Sequence, residues 1–109
     1  MKYDIDIKVK SSVIESLFPY DKRLNKYHEK PKIIRDKATC QGMIENILKP
    51  ILAEIKVKER KQRDEHHWNY ADTETMWAKK SCQELIKMFK AIKSALISCP
   101  NWTVRLTFK

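Results

Sequence analysis

At 100° per residue, Lys79, Gln83, Lys87, Lys90 and Ser94 fall on one polar arc of a helix, with Lys80 at its edge. Glu84 is the only acid that the pattern places on that helix. Solvated helices usually mix signs through i,i+4 pairs, so these lysines repel one another unless something anionic covers them. The chemistry this suits is contact with a phosphate backbone. A second group precedes it, where Arg60, Lys61 and Arg63 are followed by Trp68 and Tyr70. Basic groups can track phosphates while exposed rings stack on unpaired bases. Lys26 with Tyr20 and Tyr27 repeats the mixture near the start of the chain. The plain alternatives are a solvated lysine face, and rings of Trp68 and Tyr70 that fold back over the core.

Catalytic constellations are poorer. Asp64, Glu65, Asp72 and Glu74 are hard oxygen ligands that suit a magnesium ion and phosphodiester cleavage. They lie in a stretch read as a mobile connector, and Arg60, Lys61 and Arg63 compete for the same acids. His66 and His67 are adjacent and point apart on a helix or a strand. No signature joins Ser, His and Asp into a nucleophilic triad. One glycine in the chain leaves nothing to cradle a phosphate in a glycine-rich loop. The expectation is a binding protein, with no catalysis, no metal and no cofactor.

The elements that must position these groups are legible from periodicity. Tyr3, Ile5, Ile7 and Val9 alternate with Asp4, Asp6, Lys8 and Lys10, which predicts a half-buried strand over 3–10. Trp102, Val104, Leu106 and Phe108 alternate with Thr103, Arg105, Thr107 and Lys109, which predicts another over 101–108. Val13, Ile14, Leu17 and Phe18 suggest a short helix ended by Pro19, and 19–32 reads as a polar, basic loop.

Two helices lie between. One, near 37–56, carries Cys40, Met43, Ile44, Ile47, Leu48, Ile51, Leu52 and Ile55 on one face, with Asp36 or Thr39 as its cap. Pro50 interrupts its donors but not its apolar phase, which predicts a kinked helix. Residues 54–58 alternate and admit a short strand instead. Residues 58–75 read as a charged connector. The other helix, near 75–97, buries Ala78, Cys82, Leu85, Ile86, Phe89, Ile92 and Leu96, is capped by Thr73 or Thr75, and stops at Pro100. The expected fold is α+β: a small sheet of the two terminal strands, covered by two long amphipathic helices around Phe89 and Ile47.

Composition bounds the rest. The chain has 109 residues, 42% of them hydrophobic, enough for one domain with one core. Its net charge is +9, and residues 76–109 contribute +6 of it. Cys40, Cys82 and Cys99 cannot all pair within one chain and do not have zinc-ligand spacing. No leader or membrane span is visible, so the expected setting is the cytoplasm, with reduced thiols. The partners expected are DNA or RNA. The rival is an acidic protein partner, met by an adaptor, a light-chain-like subunit of a larger assembly or a small phage-type inhibitor, with open sheet edges that could also join two copies.

Two family resemblances add to this. The order helix, connector, helix, strand, with Trp77 early in the second helix, resembles the first half of Tctex-type dynein light chains. That resemblance implies a dimer and an adaptor groove completed by later strands, whereas this chain ends at Phe108-Lys109 and has an extra first strand. The opening strand, basic loop and acids before the second helix resemble phage Holliday-junction resolvases of the Rus type. That family's paired aspartates followed by Asn are replaced here by Asp72-Thr73-Glu74.

Overall fold

The two terminal strands pair in parallel. In the computed structural model, which describes residues 2–66 and 71–109, β1 (Ile5–Val9) runs alongside β3 (Val104–Phe108), with Ile5 opposite Val104 and Val9 opposite Phe108. The pairing continues past the strands, because Lys109 N–H donates to the Val9 carbonyl at 2.9 Å and Ser11 N–H to that of Lys109 at 2.9 Å. Parallel strands need a crossover, and here the crossover is nearly the whole chain.

A third strand joins them. The stretch 19–32, expected to be loop, contains a 3-10 helix at Lys22–His28 and leads into β2 (Lys32–Ile34), which is antiparallel to β3. The strand order is β1-β3-β2. Three residues are too few to display alternation, so β2 left no periodic trace. The 3-10 turn is set by Asp21, whose carboxylate accepts the Arg23 N–H at 3.0 Å. A short helix, α1 (Ser11–Glu15), links β1 to this turn.

One continuous helical run follows. It comprises α2 (Lys37–Gly42), a π-helical stretch (Met43–Leu48) and α3 (Lys49–His66). Asp36 is its cap, accepting Thr39 N–H at 2.7 Å. The π-helical stretch lies immediately before Pro50. Proline lacks an N–H and its ring crowds the carbonyl of the preceding turn, and a wider turn accommodates both. The strand alternative at 54–58 is therefore wrong, and so is the connector over 58–66. Helix continues there because i,i+4 pairs such as Arg63–Glu59 at 2.9 Å support it. The apolar period fades because the buried face passes from Ile51 and Ile55 to Glu59 and the half-buried Gln62.

The last helix, α4 (Thr73–Ser98), is capped by Asp72 and not by either threonine. Asp72 accepts Thr75 N–H at 2.7 Å, and Gln62 of α3 donates to the same carboxylate at 2.7 Å while accepting Asp72 N–H at 3.0 Å. These bonds fasten the start of α4 to the end of α3.

The helices cover one face of the sheet. Phe89 is 1% exposed and packs in one cluster with Leu48, Ile55, Leu85, Val104 and Leu106. Ile47, expected beside Phe89 at the centre, is only half-buried, as are Leu52 and Ile86. Trp102 precedes β3 and is exposed, whereas Thr107, assigned to the outer side, is buried. The cysteines are free, and Cys40 and Cys82 are buried. Burial pushes the Cys82 thiol up to about 11, so it stays protonated and donates to the Leu48 carbonyl at 3.2 Å. Among the described residues, no helix is long and apolar enough to cross a membrane.

Candidate nucleic-acid interface

The seam between α3 and α4 gathers the basic side chains. Lys56, Arg60 and Arg63 occupy one edge of α3 by helical spacing. Together with Lys79 of α4 they line a cleft of about 390 Å³. Its acids are the exposed Asp64 and Glu59, of which Glu59 is 6% exposed and accepts from Arg63 Nη2 at 2.9 Å and Lys79 Nζ at 2.9 Å. The hydrogen bond from Lys79 holds the Glu59 carboxyl below the usual glutamate range, helped by the charges of Lys79, Arg63 and Lys56. Glu59 is hidden beneath its two cations rather than in the apolar core, so it stays ionised and orients them. Lys56 and Arg60 form no ion pair among the described residues.

The seam continues toward the other end of α4. Lys90, Lys93 and Ser94 face Gln41, Ile44 and Glu45 across a groove of about 330 Å³. Lys93 donates to Gln41 at 2.6 Å, and Lys49 to Glu45 at 2.7 Å. That bond from Lys49 lowers the Glu45 carboxyl, and the charge of Lys90 adds to the effect. From Lys79 to Lys93 the helix rises about 21 Å, roughly the axial rise of six nucleotide steps in a duplex.

The residues singled out from sequence divide accordingly. Arg60, Arg63 and Lys79 come together in the first cleft, and Lys90 lies in the second groove. Lys80 and Lys87 are exposed on the outward arc of α4, where Lys80 Nζ lies 5.9 Å above the Trp77 ring. Lys61 is on the opposite edge of α3, within 4.0 Å of Glu65. Trp68 and Tyr70, assigned to base stacking, lie outside the described residues, as does His67. The α4 lysines are also less isolated than expected, because Glu74 joins that helix and Glu59 reaches Lys79 from its neighbour.

The sequence reading passed over Lys49, Lys56, Lys93 and Glu59. The i, i+4, i+7 spacing of Lys56, Arg60 and Arg63 was available, but the strand alternative at 54–58 obscured it. The rings of the first loop are not a stacking platform. Tyr27 is buried, with Lys26 and Lys32 at 5.5 and 5.3 Å from its ring centre, and Tyr20 is half-buried with Lys58 at 5.9 Å. Nor do the acids share a mobile connector. Asp64 and Glu65 are on α3, Asp72 caps α4 and Glu74 is in its first turn. Among the described residues, no three His, Cys, Asp or Glu side chains gather as ligands for one ion.

No known protein family, curated protein or solved structure matches the chain.

Proposed function

We propose that this protein binds the sugar-phosphate backbone of nucleic acid along the α3–α4 seam and performs no catalysis on it. The observation that carries the reading is the first cleft, where Lys56 and Arg60, which form no ion pair among the described residues, lie beside Arg63 and Lys79. Each phosphate neutralised there releases condensed counterions, and that release drives binding with little regard to sequence. Lys49, Lys90 and Lys93 extend the track, and Lys80 and Lys87 add flanking charge. The three free thiols suit a reducing compartment such as the cytoplasm. The test is fluorescence anisotropy with labelled duplex DNA, single-stranded DNA and RNA, titrated at low and moderate salt. Binding that weakens steeply with salt supports the reading, and no binding to any of the three at low salt removes it.

A protein-interaction role is the second reading. β1 and β2 both lie at the sheet margins, each paired with β3. Met76 and Trp77 are 38% and 41% exposed in the first turns of α4. Under this reading the cations meet an acidic protein, or an edge strand pairs with a second copy. Size-exclusion chromatography with light scattering separates the two, because a stable homodimer or one co-purifying protein without nucleic acid favours the second.

A further inference from the structure

A separate set of cations meets on the opposite side of the sheet from the helices. The pleat sends Val104, Leu106 and Phe108 into the core and turns Arg105 and Thr107 the other way. The register sets Lys8 of β1 opposite Thr107, and Asp6 opposite Arg105. Neighbouring strands lie about 4.8 Å apart, which sets Lys8 beside Thr107 and Asp6 beside Arg105. The turn into β2 brings Glu29 and Lys30 to the same place. Three segments far apart in sequence thus enclose a cleft of about 300 Å³.

Its donors are largely unspent. Lys8 and Lys30 form no ion pair among the described residues. Arg105 gives Nε and one Nη2 proton to Asp6, and a guanidinium has five such protons, so the others remain available. Its plane is held by the Tyr3 ring, 5.0 Å from the guanidinium carbon. Thr107, only 9% exposed, adds a hydroxyl to the lining. Opposing them is one lining carboxylate side chain, the exposed Glu29. Lys109 also lines the cleft. Two ammonium groups, a partly unspent guanidinium and a hydroxyl supply more donors than a planar carboxylate can accept. A tetrahedral phosphate, with three terminal oxygens, uses them better.

We propose that this cleft binds a phosphomonoester, with Lys8 and Lys30 as its charge partners and Arg105 and Thr107 as further donors. The proposal does not rest on the seam. The phosphate could belong to a free nucleotide or to the 5′ end of a nucleic acid, since both present the same group.

The test is amide chemical-shift titration of the whole chain with inorganic phosphate, with adenosine 5′-monophosphate and with adenosine. Phosphate and the monophosphate should move the amides of Lys8, Lys30 and Thr107, and adenosine should not. The Lys8→Gln, Lys30→Gln pair should weaken the monophosphate about tenfold or more, with an unchanged spectrum elsewhere showing that the variant is folded. The seam variant Lys56→Gln, Arg60→Gln should bind the monophosphate as the parent does. A 5′-phosphorylated oligonucleotide that shifts these amides more strongly than the monophosphate identifies a chain end as the source, and equal or weaker shifts identify the free nucleotide. Equal responses to adenosine and its monophosphate, or a double lysine variant that binds like the parent, overturn the proposal.

Discussion

Glu59 on α3 and Lys79 on α4 meet at 2.9 Å across the helix seam, with Arg63 completing the cluster from the other side at 2.9 Å. The pair ties the two basic edges together and fixes the spacing of the cations that line the first cleft.

Glu59→Gln should therefore cost about 1 kcal/mol of stability at neutral pH, as expected for a charged pair close to solvent. The Glu59 carboxyl titrates below its usual value in the folded chain because Lys79 and Arg63 favour the ionised form. Its contribution is complete above the unfolded value of about 4.3 and is lost as pH falls through the depressed folded value. Urea unfolding should show a constant gap between parent and variant from about pH 8 to pH 5, closing below about pH 4.

Phe89→Ala should cost about 3–5 kcal/mol, because it empties the centre of the core. Ile47→Ala, at a half-buried site, should cost about half as much. A small domain has a margin of only about 5–15 kcal/mol. Thermal unfolding of the two variants checks the ranking, and equal losses would show that the core is centred elsewhere.

Gly42→Ala should stabilise the chain by about 0.5–1 kcal/mol. Gly42 has ordinary helical backbone angles, φ −60° and ψ −44°. An added Cβ there would meet only Asn46 Nδ2, at 3.9 Å. The glycine thus costs helix propensity without relieving a close approach. A raised melting temperature is the expected readout.

The parent should cleave no duplex, branched or single-stranded nucleic acid in magnesium or manganese. The carboxylates that would be asked to hold the ion are spread over α3 and the start of α4, and Asp72 is engaged by Thr75 and Gln62. An assay beside the Asp72→Asn, Glu74→Gln variant checks this. Metal-dependent cutting by the parent that the variant lacks would restore the resolvase-like reading.

Much of the fold was legible because its long elements bury one face each. The alternation of Ile5, Ile7 and Val9, that of Val104, Leu106 and Phe108, and the helical phase from Ala78 to Leu96 are direct imprints of that burial. What escaped lacks such an imprint. β2 is three residues long, and its place beside β3 is set by long-range pairing. The second half of α3 buries Glu59 and half-buries Gln62 against α4, so the hydrophobic period disappears while the helix continues. The seam itself depends on how two helices dock, so Arg60 and Lys79 could be found separately but not brought together from sequence. The cleft at Lys8, Lys30 and Thr107 was invisible for the same reason, since strand register creates it.

The central claim is most directly tested by duplex DNA affinity as a function of potassium chloride, measured for the parent and for Lys56→Gln, Arg60→Gln. Neither side chain is in an ion pair among the described residues, so their removal strands no buried acid. The account predicts that parent affinity falls steeply with salt. In the variant it should be about tenfold or more weaker at low salt, with a log–log slope shallower by about two, close to one unit for each lost phosphate contact. Coincident lines for the two proteins, or a parent affinity indifferent to salt, would contradict it.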